Sequence, residues 1–323
     1  MQRRKIFASL VGTVIVGLVW MGAQAGSLDP PGPPAPTMKP LDELEPRIPI
    51  RAVDLPLTIT QPGSYYLVEN ITTTGDGITI AADNVTIDLM GYSLSGGAHD
   101  GISADSETTN LLIRNGGVSG WGGHGIDLWE ATNSQVIDVR SQGNAADGIR
   151  VHTASIVRSS SAYDNGLTGI ISWDSSLIIG CVAKGNRWGL SVNEGSAVVD
   201  SVAVANDWVG IDANSNSRVD RCSSSINVGI GIAVGSSSTI VANHSQGNQT
   251  HGISVTGSDN RLDGNHVTGN TEYGISCNGT GNVIIRNSTS GNSSGDFDIT
   301  SGNDVGPIGT AATATSPWAN LQF

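Results

Sequence analysis

A Gly followed by Ile or Leu recurs at a nearly constant spacing, at Gly77-Ile78, Gly101-Ile102, Gly125-Ile126, Gly148-Ile149, Gly169-Ile170, Gly189-Leu190, Gly210-Ile211, Gly231-Ile232, Gly252-Ile253 and Gly274-Ile275. The steps between these glycines are 24, 24, 23, 21, 20, 21, 21, 21 and 22 residues. A second column keeps the same period: Asn144, Asn165, Asn186, Asn206, Asn227, Asn248, Asn270 and Asn292. A fixed period of this size specifies a solenoid, in which each repeat buries its apolar face only against its neighbours.

The pattern within a repeat selects the type of solenoid. Ile253, Val255, Leu262 and Val267 are separated by polar residues, Gly or Asn, in short alternating runs that read as strands. Helical solenoids need long amphipathic stretches free of Gly, and this chain has 43 Gly. The fold class is therefore all-β, a parallel β-helix with three short strands and three turns per coil. At the ordinary strand spacing of about 4.8 Å, ten or eleven coils span roughly 50 Å. The positions one and three residues after each Gly point inward as apolar stacks. The Asn column reads as an internal ladder of side-chain amides, set at corners whose left-handed backbone Asn tolerates.

The flanks divide the chain further. Residues 1–25 read as an export signal: Arg3, Arg4 and Lys5, then a mostly apolar run from Ile6 to Met21, then Ala23-Gln24-Ala25. Either the general or the twin-arginine route fits this leader, and the mature protein is expected to be secreted or periplasmic. Residues 26–47 form a Pro-rich spacer, 48–75 an N-terminal cap, 76–302 the β-helix and 303–323 a C-terminal cap. The formal charge is −13, and removing a leader with three basic and no acidic residues makes it −16. Only Lys39 and Lys184 then remain as lysines. No basic stripe exists for nucleic acid, no membrane partner is expected after signal cleavage, and strongly anionic polymers are disfavoured unless calcium bridges them.

The repeats from Gly247-Asn248 to Val255 and from Gly269-Asn270 to Cys277 resemble those of right-handed parallel β-helix proteins, the pectin-lyase-like superfamily with NosD-like repeats. Segments 36–46, 59–67, 303–310 and 316–320 resemble a narrower set of secreted bacterial β-helix proteins without an assigned function. The resemblance implies a right-handed solenoid. It implies no single activity, since such scaffolds carry different chemistries.

Side chains alternate along a strand, so the positions two and four residues after each Gly point outward. These give Ser103 and Asp105, Asp127 and Trp129, Arg150 and His152, then Ile171 and Trp173 on successive coils. Trp188 and Trp208, just ahead of their Gly-Leu and Gly-Ile pairs, extend the aromatic set around the corner, and five of the seven Trp lie between 121 and 208. Rings beside carboxylates and Arg suit a sugar-binding groove, because apolar sugar faces stack on rings while hydroxyls bind charged groups. Trp129, Arg150, Trp173 and Trp188 are the candidate substrate-binding residues. Asp105 and Asp127, expected roughly 8 Å apart from strand geometry, are candidate acid and base with water between them, and His152 could assist proton transfer. The competing interpretation makes Asp127 and Arg150 a surface ion pair. Likewise, Asp76, Asp100, His124 and Asp147 before their Gly residues can be corner residues that cap backbone N–H groups. Cys181 and Cys222 share a column two coils apart, too far to bond, and Cys277 lies in an inward column. No cofactor is indicated. Calcium is compatible with the acid content, but no ligand cluster for it or another metal is recognisable.

Three functions fit: extracellular polysaccharide binding, with or without hydrolase or lyase activity; a non-enzymatic structural or surface-interaction solenoid; and a NosD-like periplasmic metal-related role, which lacks a His, Cys or Met cluster. Coils this short leave little chain for long loops, which argues against a deep active site. Oligomeric state is open.

Overall fold

The computed structural model describes residues 46–105 and 107–323. The leader and residues 26–45 of the spacer lie outside the described residues. The chain winds as a parallel β-solenoid built mostly of three-residue strands. One strand per coil, beginning at the Gly-Ile pairs, stacks into a 12-stranded parallel sheet running from Leu57–Ile59 to Gly295–Ile299. We call it the glycine face. The other two strands of each coil stack in the same way, as Ile156–Arg158 on Leu177–Ile179 and Ser161–Tyr163 on Val182–Lys184.

The 12 coils exceed the ten to eleven expected. The terminal coils lack the dipeptide: Leu57 follows Pro56, and Phe297 follows Asp296. The segment assigned to an N-terminal cap supplies a complete first coil, with Leu57–Ile59, Gly63–Leu67 and Ile71–Thr73 paired to the corresponding strands of the next. Ile48–Ile50 pairs with Tyr65 to Leu67. At the other end Asn320–Gln322 pairs with Ser288–Ser290 and with Ile308–Gly309. These short additions satisfy edge groups that an open solenoid end would expose.

Register puts Ile126, Ile149, Ile170, Leu190, Ile211, Ile232 and Ile253 in one column, each 0% exposed. Burying each such side chain contributes about 1.5–3 kcal/mol. Beside this stack runs the Asn ladder. Each Nδ2 donates to the next Oδ1, at 2.8 Å from Asn144 to Asn165, 2.9 Å from Asn206 to Asn227 and 3.0 Å from Asn248 to Asn270. The Gly and Asn columns require one another. A Cβ on Gly189 would stand 2.7 Å from Asn206 Nδ2, and one on Gly148 would stand 2.7 Å from Asn165 Nδ2. Only glycine leaves room for the amide row.

The left-handed backbone lies elsewhere than expected. It belongs to the residue just before each ladder position, such as Asp164 (φ 51°), Ala205 (φ 52°) and Ile226 (φ 58°), and not to the Asn. Two further amide ladders stabilise the late coils: Asn243–Asn265–Asn287–Asn320 with steps of 3.0, 2.9 and 3.0 Å, and Asn260–Asn282–Asn303 with steps of 2.9 Å. The cysteines are free and buried, and burial pushes the Cys181 and Cys222 thiols up to about 11. They are therefore poor nucleophiles at neutral pH.

Candidate functional site

The register of the glycine face aligns Ser103, Asp127, Arg150, Ile171, Ser191 and Asp212 in one outward row. Asp127 Oδ2 lies 3.6 Å from Arg150 Nη1, and Asp127 Oδ1 accepts the Trp129 N–H at 3.1 Å. The Arg150 guanidinium sits over the Trp129 ring, 4.0 Å from its centroid, a cation–π contact. Just past the strand ends, Trp129, His152 and Trp173 form a continuous aromatic edge. Ring centroids are 5.2 Å apart for Trp129–His152, 4.8 Å for Trp129–Trp173 and 6.3 Å for His152–Trp173.

Five candidates thus come together: Asp127, Trp129, Arg150, His152 and Trp173. Trp188 does not join them. It opens the strand Trp188–Val192 at the opposite edge of the face, stacks on Trp208 at 5.1 Å and carries Arg187 at 4.6 Å. Trp121 is 1% exposed and belongs to the core. Asp105 is exposed, one residue beyond the strand Ile102–Ala104. The strand partners of Asp127 are Ser103 and Arg150, and no side-chain bond links it to Asp105 or His152 among the described residues.

His124 is the functional group that the residue pattern underweighted. Backbone capping by this column is real: Asp100 Oδ1 accepts the His124 N–H at 2.6 Å, His124 Nδ1 accepts the Asp147 N–H at 3.1 Å, and Asp147 Oδ1 accepts the Thr168 N–H at 2.7 Å. But the ring also faces the ionic row. Its Nδ1 is 3.3 Å from Asp147 Oδ2, and its Nε2 lies 3.4 Å from Arg150 Nη1 and 4.0 Å from Asp127 Oδ2. A neutral ring accepts at one nitrogen only, so it cannot serve both the Asp147 N–H and Arg150. Burial opposes charge on this ring, yet the Asp147 hydrogen bond and the carboxylates of Asp127, Asp147 and Asp100 outweigh it, and its pKa lies above the ordinary imidazole value. Burial raises Asp127, and Arg150, His124 and the Trp129 N–H offset only part of that. Asp147 is held below the usual carboxylate range, because the His124 and Thr168 hydrogen bonds outweigh its burial.

Two concavities flank the aromatic edge. One, of about 340 Å³, has Trp129, His152, Asp83, Glu107 and Glu130 in its wall. The other, of about 380 Å³, runs along later coils from Ile171 and Trp173 past Ser191 and Asp212 to Ser254. Both fall within the range of roughly 300–1,000 Å³ typical of small-ligand sites. Among the described residues no group of three or more His, Cys, Asp or Glu could hold a metal ion, and no helix is long and apolar enough to cross a membrane.

A family model described as a right-handed β-helix region matches residues 168–306. Among solved structures, the chain is similar to the mannuronan C-5 epimerase AlgE6 A-module of Azotobacter vinelandii, at 15% identity and TM-score 0.52 over 81% of this chain and 91% of that one. It is similar to the periplasmic alginate epimerase AlgG at 15% identity and TM-score 0.55, over 85% and 82% of the two chains. It is also similar to ORF18 of Geobacillus virus E2 at 15% identity and TM-score 0.56, over 73% of this chain and 54% of that one. No curated protein matches by sequence. At such identities the likeness concerns the fold, which is the right-handed parallel β-helix.

Proposed function

We propose that the protein binds a polysaccharide along the outer side of its glycine face. One observation carries this reading: Trp129, His152 and Trp173, drawn from three successive coils, make a single aromatic edge between two concavities. The three rings pack as one compact cluster, with centroids 4.8–6.3 Å apart, and present an apolar patch on which a sugar face can stack. Arg150, Asp127 and the concavity side chains offer hydrogen bonds for hydroxyl groups. The names of the epimerases with the same fold point to alginate and mannuronan, in keeping with a polysaccharide as the ligand class. The strands and corners leave the site shallow and open, which suits binding.

Cleavage of the bound chain is a second reading, favoured by the raised carboxyl of Asp127 beside the imidazole of His124. In it Asp127 carries the proton, with Asp105 and His152 as the partners suggested by the repeat pattern.

The binding reading is tested with a Trp129→Ala/Trp173→Ala double variant of the mature protein in a polysaccharide pull-down and titration. Truncating a central Trp of a binding site costs about 2 kcal/mol or more, so affinity should fall at least ~30-fold while the thermal midpoint stays close to the parent's. Undiminished binding by the double variant would remove the aromatic edge from the site.

A further inference from the structure

The concavity of the later coils holds one carboxylate that nothing in the protein answers. Asp212 projects outward from the strand Ile211–Ala213 and lies in that concavity with Ser191, Trp173, Ile230 and Ser254. It makes no side-chain hydrogen bond or ion pair among the described residues, and no Arg, Lys or His lines the space. The other buried or half-buried aspartates have partners: most face a cation, and Asp100, Asp174 and Asp296 accept a backbone or amide hydrogen bond. Asp127 has Arg150, Asp147 has His124, Asp220 has Arg218 and Arg221, and Asp263 has Arg261 and Arg286. Burial alone pushes the Asp212 carboxyl above the usual carboxylate range, with no opposing partner.

The concavity at the other end of the aromatic edge has the same sign. Asp83, Glu107 and Glu130 stand in it without an Arg or Lys, and Thr108 Oγ1 is buried there without a partner. Trp129 and His152 wall this space and Trp173 walls the other. The whole chain carries −13, which draws cations toward such clefts. An inorganic divalent ion would need several converging ligands, and Asp212 has no second carboxylate beside it. What the surroundings supply instead is a single negative charge, an indole wall and hydroxyl groups.

We infer that the polysaccharide recognised by this face is cationic, a chain containing free 2-amino sugars, with Asp212 receiving a protonated amine while the Trp173 ring covers the sugar face. This deepens the polysaccharide-binding reading and rests on it. The ammonium is the group that a lone, partly desolvated carboxylate binds best, and an aromatic ring beside it adds cation–π attraction.

Calorimetric titration of the mature protein with a glucosamine hexamer, its fully N-acetylated counterpart and a neutral β-linked glucose hexamer tests the inference. The parent should bind the glucosamine hexamer at least tenfold tighter than either of the others. Asp212→Asn, nearly isosteric and free of a desolvated charge, should keep or raise the thermal midpoint and lose at least tenfold affinity for the glucosamine hexamer alone. Asp164→Asn removes the same charge at an exposed position outside both concavities and should change affinity less than twofold. Equal affinity for all three hexamers overturns the inference, as does equal loss in the two variants, which would leave only a general field effect. If a neutral polysaccharide binds, is lost in the Trp129→Ala/Trp173→Ala protein and is unaffected by Asp212→Asn, the amino-sugar inference fails while the binding reading stands.

Discussion

Replacing Ile211 with aspartate should unfold the solenoid around its eighth coil. Ile211 is 0% exposed and is held in register between Leu190 and Ile232. Removing its side chain from the stack costs about 2–5 kcal/mol by analogy with large-to-small core changes. A carboxylate put in its place finds no partner, because both neighbours in the column are aliphatic, and that adds several kcal/mol. The sum rivals the roughly 5–15 kcal/mol that holds an ordinary domain together. In a solenoid each coil is stabilised by its nearest neighbours, so the damage should start locally. Limited proteolysis should cut between residues 190 and 232 at a temperature where the parent resists, and the main thermal transition should fall or split. Ile211→Val, costing about 0.5–1.5 kcal/mol, should shift the midpoint only slightly. An Ile211→Asp protein with the parent's midpoint and protease resistance would show that this column does not face the core.

Asn227→Ala should be nearly as damaging, although it removes a polar side chain. Asn227 is 0% exposed. Its Nδ2 donates to Asn248 Oδ1 at 2.9 Å and to Ser224 Oγ at 3.0 Å, while its Oδ1 accepts from Asn206 N at 3.0 Å and Asn206 Nδ2 at 2.9 Å. Alanine leaves both Asn206 donors without this acceptor and opens a void beside Gly210. A buried polar group left unpaired costs about 1–3 kcal/mol, so the total should reach about 3–5 kcal/mol. Asn278→Ala, at an exposed position, should stay within about 0.5 kcal/mol. Chemical denaturation of both variants measures the difference. Equal midpoints for the two would mean that the ladder contributes no more than surface asparagines do.

The fold was legible because its two columns are chemically coupled. Gly is needed where the Asn amide of the next coil fills the space of a Cβ, so both residues recur at one period. The first and last coils escaped notice because they lack the dipeptide, with Pro56 and Asp296 standing where the glycine would be. The left-handed corners were placed one residue late, since Asn is the familiar occupant of that conformation whereas Ala205 and Ile226 hold it here. At the site, alternation along a strand placed Asp127 and Arg150 correctly. It could not show that Trp129 and His152 lie past the strand end, where side chains turn along the edge. Nor could it place Trp188, which sits across the face from Trp173, or reveal that His124 combines backbone capping with ionic contacts. The isolation of Asp212 depends on which charges are absent around it, a property of three-dimensional neighbours.

The most direct measurement of where ligand binds is oxidative footprinting of tryptophan, on the protein with and without a saturating polysaccharide that a glycan array returns as a binder. Trp173, 36% exposed on the glycine face, should lose most of its oxidation on binding, and Trp318, 51% exposed near the C-terminal end, should oxidise at an unchanged rate. Protection of Trp318 with Trp173 unchanged, or an array with no polysaccharide binder from folded protein, would contradict the assignment of the glycine face as a polysaccharide-binding surface.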